Sequence, residues 1–419
     1  MKVLVVGGGG REHAIVWKLA QSPDVTEIFC APGNGGIGEI ARLVPVSATD
    51  IDGIVGFSKK NGIDLVVVAP DDPLAMGMVD ALEAAGIPAF GPRKDAAIIE
   101  SSKVSAKNLM KKHNIPTAGY RVFDDSQEAR EYVMNAKLPV VVKADGLALG
   151  KGVLICHTRD EAVSAVNGIM EERKFGSAGQ RIVVEEYITG PEVSILAFTD
   201  GKTIKPMVSV QDHKRALDND QGLNTGGMGT FTPSRHYTEA IARECMETIF
   251  EPTIRAMNRE GRKFRGVLFF GLMLTENGPK VLEYNARFGD PETQVVLPLL
   301  KTDLLTVIKA VINEELDKVD IQWEQDAAVC VVMASGGYPE AYEKGFEITG
   351  LDQFGNQSEI LVFHAGTRKE GDRYLTSGGR VLGVTARGAD IEEARRKAYD
   401  AVSRIHFKNA HYRRDIGIK

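Results

Sequence analysis

The first strands of the chain are apolar throughout rather than at alternate positions: "KVLVV" from Lys2, "VTEIFCA" from Val25 and "IDLVVVA" from Ile63. An uninterrupted apolar strand has to be covered on both faces, which calls for helices on either side of a parallel sheet. Helical patterns supply that cover in "REHAIVWKLAQS" and "MVDALEAAG". The chain therefore opens with a doubly wound α/β unit. Ligands of such a sheet gather at the carboxyl ends of its strands, here "GGGGREH", "APGNGG" and "APDDPLAMG".

At 419 residues the chain is too long for one core, and roughly three domains are expected. A helix pattern, "SSKVSAKNLMKKHN", stops at Pro116. From "GYRVF" to "VVEEYI" a small mixed unit follows: strand, helix "SQEAREYVMNA", a glycine loop, helix "RDEAVSAVNGIMEE" and strand. Beyond Gly190 come the strands "EVSILAFTD" and "KTIKPMVSV", a polar loop "DNDQGLNTGGMG" and the long helix "YTEAIARECMETIFEPTIRAMNREG". The strand pair "FRGVLFFGLMLTENG" and "PKVLEYN" and a charged linker, "NEELDKVDIQWEQD", lead to a last section from "AAVCVVMASGG".

A net charge of -6 leaves no electrostatic footprint for nucleic acid or an acidic membrane. Apolar stretches such as "GVLFFGLML" are too short to span a bilayer, and "MKVLVVGGGG" reads as a first strand rather than a signal peptide. Cys30, Cys156, Cys245 and Cys330 form none of the close pairs that build zinc sites, so buried reduced thiols are expected. These features point to a cytoplasmic protein with small-molecule partners.

Three stretches carry chemistry. In "VVVKADGLALGKGVLIC" only three residues separate Gly146 from Gly150, and Gly152 stands where a P-loop needs a hydroxyl. Strand-like flanks make it a glycine loop between two strands, a flap whose amides at Gly146, Gly150 and Gly152 can approach an anion beside Lys143 and Lys151. In "VLEYN", period-two alternation puts Glu283 and Asn285 on one face and Leu282 and Tyr284 on the other. A carboxylate and an amide oxygen at that spacing suit the hard cation that accompanies ATP. In "VVEEYITGPEVS" a strand edge can meet an adenine, and a carboxylate shortly after can accept ribose hydroxyls.

A lysine before a glycine flap, "EEYI" followed by a glutamate, and a Glu-x-Asn strand, in this order, resemble the ATP-grasp superfamily. Along nearly the whole chain, "GGREH", "VVKADGLALGKGV", "QDHKR", "NTGGMG", "NARFGDPETQ", "HAGT", "GGRVLGVTA" and "RRDIG" resemble the glycinamide ribonucleotide synthetases, the phosphoribosylamine-glycine ligases. The resemblance implies an α/β ATP-grasp architecture: an N-terminal doubly wound parallel-sheet domain (1–102), an ATP-grasp domain (103–326) comprising a small mixed lid (about 118–189) and a central α+β part, and a C-terminal mixed α/β domain (327–419). It implies a reaction of purine biosynthesis that joins glycine to 5-phosphoribosylamine through a glycyl phosphate, using ATP and Mg2+ or Mn2+. Charge neutralisation and positioning carry such phosphoryl transfer, in keeping with the lack of a Ser-His-Asp pattern.

By position, the resemblance assigns Lys103, Lys143, Gly146, Gly150, Lys151 and Gly152 to the ATP phosphates, Glu185, Glu186, Tyr187 and Ile188 to the adenine, and Glu192 to the ribose. Glu283 and Asn285 match the metal pair, and Arg287 and Lys143 the catalytic cations. For the substrates it offers Gly9, Gly10, Arg11 and Glu12; Asp212, His213 and Lys214; Asn224, Thr225, Gly226, Gly227, Met228 and Gly229; and Arg287, Asp290 and Glu292. The chain departs from the family at "APDDP", where Asp71 replaces a glutamate, and at Leu223, where a proline is common. No nucleic acid, membrane or protein partner is implied; the oligomeric state is open, with a monomer favoured.

Two other classes are less consistent with the residues. A nicotinamide dehydrogenase would need a third glycine where Glu12 or His13 stands, and an acid after the second strand, which ends instead in Ala31-Pro32. A nucleotide sensor without catalysis would not need Lys143, Glu283, Asn285 and Arg287 together. A sister ATP-grasp enzyme that carboxylates or formylates a purine precursor shares the ATP motifs; "NARFGDPETQ" and "NTGGMG" favour glycine.

Overall fold

The computed structural model describes residues 1–147, 152–354 and 359–418. The N-terminal sheet is wholly parallel, in the order Arg42–Leu43, Glu27–Pro32, Lys2–Gly7, Leu65–Val68, Ala89–Phe90. Its strand order reverses at Lys2–Gly7, so the crevice of the switch point opens at the "GGGG" turn. Val3 and Val5 enter one core and Leu4 and Val6 another, all fully buried. Each such side chain contributes up to about 1.5–3 kcal/mol, the physical reason an all-apolar strand seeks two covered faces.

Both of those cores continue into a central antiparallel sheet ordered Ile204–Pro206, Glu192–Thr199, Gly266–Thr275, Gly278–Asn285. The lid sheet, Tyr120–Phe123, Ile182–Glu186, Val140–Ala144, Val153–Cys156, is antiparallel too. Its core draws only on residues of its own segment, with helices Ser126–Asn135 and Arg159–Met170 packed on it. Asp125 and Thr158 start those helices by accepting the Glu128 and Glu161 amides at 2.9 and 3.2 Å.

The C-terminal sheet crosses the boundary expected after residue 326. Gln211–Asp212 and Gly229–Thr232 pair in sequence with Ala327–Ser335, Arg380–Gly388 and Ile360–His364, with the helix Ile391–Val402 against the same core. The two strands from mid-chain bring the "QDHKR" and "NTGGMG" loops to the C-terminal unit.

Of the helices that went unread in the sequence, among them Ile51–Asn61, Leu304–Ile312 and Ile391–Val402, two border the site. Asp71–Met76 begins where a loop was expected; Pro73 lies in its first turn, where no N–H is needed, and Asp71 and Asp72 face the helix dipole. Lys94–Ser101 follows the last parallel strand. All four cysteines are buried and unpaired. No helix of the described residues is long and apolar enough to cross a membrane.

Candidate active site

The N-terminal, lid, central and C-terminal units all contribute to a cavity of about 1060 Å³. At one end its wall is apolar, with Val141 and Ile155 from the lid and Met110, Met273 and Leu282 from the body, a slot suited to a flat base. The strand end Glu185, Glu186, Tyr187, Ile188 runs along this slot. Glu186 turns its carboxylate to the Gly119 amide at 2.9 Å. Glu185 instead bridges two lysines, with Lys143 Nζ at 3.0 Å and Lys107 Nζ at 2.9 Å, all three almost wholly buried. Burial lowers the Lys107 ammonium to about 8 against the pull of Glu185. Lys107 was missed, although a spacing of four from Lys103 puts both on one helix face.

Next along the cavity lie Lys103, Lys143, Gly146 and Gly152. Ser102 caps the helix Lys103–Lys112 and also bonds Asp145 Oδ1 at 3.0 Å, which ties helix start to flap start. Lys103 donates to the Gly146 carbonyl at 2.9 Å and Lys143 to the Leu282 carbonyl at 3.2 Å. Burial holds Lys103 below the usual lysine range, with Glu283 opposing. Gly150 and Lys151 lie outside the described residues.

The strand Gly278–Asn285 carries a correction. Gly271 pairs with Glu283 but Leu272 with Val281, so Leu282 is a bulge residue. Tyr284 points into the core as expected, whereas Leu282 joins Glu283 at the cavity wall. Burial alone would raise the Glu283 carboxyl; Lys214, Lys143, Lys103 and Arg287 together hold it below the ordinary value. Asn285 and Arg287 both reach Glu100, on the unread helix: Asn285 Nδ2 at 3.0 Å and Arg287 Nη2 at 2.9 Å, with the Ala286 amide at 2.7 Å.

A divalent ion is what the ATP-grasp resemblance implies here, and the donor set fits it. Among the described residues no group of three or more His, Cys, Asp or Glu could hold a metal. Glu283 and the Asn285 amide oxygen would be its two protein ligands, with the rest left to phosphates and water, the usual manner of magnesium.

At the far end, Lys214 lies 3.1 Å from Glu192 and 3.9 Å from Glu283, and Glu192 above all raises its ammonium. Asp212 and Glu292 also line this end. Burial first, and then Glu292, lifts the Asp212 carboxyl well above the usual range, and burial likewise lifts Glu292. Among the described residues the buried Asp212 Oδ1 and Arg287 Nε have no hydrogen-bond partner. Arg11, Asp71, His213, Asn224, Thr225, Gly226 and Asp290 also line the wall. Burial lowers His213 to about 4, so its imidazole is neutral at pH 7. Arg380 and Tyr338, missed in the sequence, enter from the C-terminal unit: Arg380 Nη1 donates to the Gly226 and Asp290 carbonyls at 2.7 and 2.8 Å, and the Gly226 amide reaches the Tyr338 hydroxyl at 3.2 Å.

Six expected substrate residues stand outside the wall. The Gly9 amide is taken by Glu12 Oε2 at 2.6 Å, the glutamate half of a capping box, and Glu12 Oε1 holds Arg11 at 2.6 Å. Gly10 packs against Gln294; a Cβ there would lie 2.6 Å from its Nε2. Gly227 has φ +110°, and a Cβ would sit 2.5 Å from Pro291 Cδ and 2.9 Å from Asp212 Oδ1, so its part is to let those two approach. Met228 is fully buried and Gly229 is paired in its strand.

The chain matches three family profiles in succession: the phosphoribosylglycinamide synthetase N domain over residues 1–100, the ATP-grasp (A) domain over 101–293 and the C domain over 328–419. It is 47% identical to a phosphoribosylamine–glycine ligase of Halalkalibacterium halodurans, over 100% of this chain and 97% of that one. The crystal structure of a phosphoribosylamine–glycine ligase from Thermotoga maritima superposes with a TM-score of 0.87 at 34% identity, covering 99% of this chain and 100% of that one. The biotin carboxylase domain of Hydrogenobacter thermophilus 2-oxoglutarate carboxylase, solved with MgADP and bicarbonate, has a TM-score of 0.76 at 17% identity over 98% and 91% of the two chains, a likeness of fold alone.

Proposed function

The chain belongs to the phosphoribosylglycinamide synthetase family, and on that premise we propose that it is an ATP-dependent ligase of purine biosynthesis, joining glycine to 5-phosphoribosylamine to give glycinamide ribonucleotide, ADP and phosphate. The observation that carries this reading is the run of three family domains in order over residues 1–293 and 328–419. We read domains 1–102, 103–326 and 327–419 onto it. The enzyme acts in the cytoplasm, with Mg2+ or Mn2+ as the ion.

In the first half-reaction a glycine carboxylate oxygen attacks the γ-phosphorus of ATP; glycyl phosphate forms and ADP leaves. Lys103 and Lys143 meet the phosphates, the slot beside Glu185–Ile188 takes the base, Glu192 takes the ribose, and Arg287 faces the transferring group or the glycine carboxylate. Glu283 and Asn285 would hold the divalent ion, which supplies charge neutralisation across the phosphates when bound. In the second half-reaction the sugar amine attacks the glycyl carbonyl carbon, phosphate leaves and the amine gives up a proton. Asp212, Glu292, Lys214 and Asp290 line the space where these smaller groups meet. Because the cavity is built of fixed charges, most of the catalysis is positioning and electrostatic stabilisation.

The test is ADP release with glycine, fresh phosphoribosylamine and a divalent ion, each omitted in turn. Turnover is expected only with all of them together. Equal release when bicarbonate or formate replaces glycine would move the assignment to a sister enzyme.

A further inference from the structure

Glu100, at the end of the helix Lys94–Ser101, holds three consecutive residues that close the strand of the ATP-binding unit. Its Oε1 accepts from Asn285 Nδ2 at 3.0 Å and pairs with Arg287 Nη2 at 2.9 Å, while its Oε2 accepts from the Ala286 amide at 2.7 Å. The residue is 7% exposed, so solvent does not compete for these bonds. Burial raises the Glu100 carboxyl and Arg287 opposes that rise; with three donors facing its two oxygens it is placed as a carboxylate, which can only accept hydrogen bonds. It therefore dictates which end of the Asn285 amide faces it: Nδ2 must point to Glu100, and Oδ1 is turned the other way. With the amide reversed, two oxygens would meet and a buried bond would be lost.

We propose that Glu100 is a positioning residue for the nucleotide-bound divalent ion, orienting the Asn285 oxygen and the Arg287 guanidinium as one unit. The proposal rests on the assignment of Glu283 and Asn285 to the ion. Ligands of a metal are commonly oriented by such an outer hydrogen bond, whose loss lowers metal affinity by about 10–100-fold. Here the orienting group comes from the N-terminal unit. The same short segment also reaches the flap, since Ser102 bonds Asp145 and Lys103 bonds the Gly146 carbonyl, so one turn of chain sets both sides of the phosphate end.

The experiment is a Mn2+ titration of the full-length protein with saturating ADP, read by the electron paramagnetic resonance of free Mn2+, on wild type, Glu100→Gln, Asn285→Ala and the double variant. Glu100→Gln is expected to weaken Mn2+ binding about 10–100-fold, with kcat falling more than KM for ATP rises. The double variant is expected to bind no more weakly than Asn285→Ala alone, because the effect of Glu100 runs through that amide. If Glu100→Gln leaves Mn2+ affinity unchanged while Asn285→Ala weakens it, the ion assignment stands and the positioning role is overturned. Strictly additive losses overturn it as well, since they make Glu100 an independent structural ion pair. If Asn285→Ala itself changes nothing, the ion assignment fails and the proposal falls with it. Thermal melting checks each fold; should Glu100→Gln not fold, Glu100→Asp keeps the charge but withdraws it by one methylene, and the same weakening is expected.

Discussion

The Lys214 ammonium stands 3.9 Å from the Glu283 carboxylate, with Glu192 as its closer partner at 3.1 Å. Two carboxylates thus share one partly exposed cation on the cavity wall. Lys143, Lys103 and Arg287 also favour the ionised form of Glu283, so the carboxylate is kept charged.

Glu283→Gln keeps nearly the same volume, and Lys214 retains Glu192. Its melting temperature should therefore shift by only a few degrees, in line with about 1 kcal/mol or less. Loss of a ligand to the ion should cost several kcal/mol in the transition state, roughly a thousandfold in the rate of ADP formation. A magnesium titration of that rate, beside melting curves of both proteins, is the measurement. A variant that melts normally and turns over at near wild-type rate at low magnesium would remove Glu283 from the ion site.

Acid should loosen the seam between the N-terminal and C-terminal units. His13 Nδ1 accepts the His364 amide at 2.8 Å, and both rings are buried. Burial lowers His13 to about 3 and His364 to about 4. An unfolded histidine titrates near 6.5, so below that pH the unfolded chain binds protons that the folded one refuses, and stability falls as pH drops from 6.5 toward 4. Each such histidine contributes a slope of about 1.4 kcal/mol per pH unit. His13→Gln should be less stable at pH 7 but should lose one histidine's share of the slope. The raised carboxyls Asp212 and Glu292 act in the opposite sense, and their effect cancels in the difference between variant and wild type. Urea unfolding between pH 4.5 and 7 measures it; parallel curves for the two proteins would contradict the neutral buried ring.

Arg380 is expected to serve the acceptor end. Its fork holds the Gly226 and Asp290 carbonyls and lies 3.3 Å from Asp290 Oδ2, linking the C-terminal unit to both substrate loops. Lysine keeps the charge but cannot span these acceptors at once. Arg380→Lys should lower kcat/KM for phosphoribosylamine by roughly 10–100-fold, about 1.4–2.7 kcal/mol, with little change in nucleotide affinity. An equal loss in ATP binding would show that the residue supports the fold rather than the acceptor end.

What sequence alone determined was whatever depends on near neighbours. All-apolar strands required a doubly wound sheet, strand-like flanks required the flap between Val140–Ala144 and Val153–Cys156 to be a hairpin, and alternation put Glu283 and Asn285 on one face. The capture of the Gly9 amide by Glu12 went unread, although it spans only three residues. Tertiary structure decided the rest, because the deciding partners are remote. Asn285 and Glu100 are 185 residues apart, Arg380 and Gly226 154, and no local pattern marks a carboxylate that will face three donors only after domains pack. Leu282 reaches the cavity because the neighbouring strand has one residue fewer opposite it. Local chemistry sets which residues can bind phosphate and metal; burial, by removing water and leaving each charged group only its packed neighbours, sets how they are aimed.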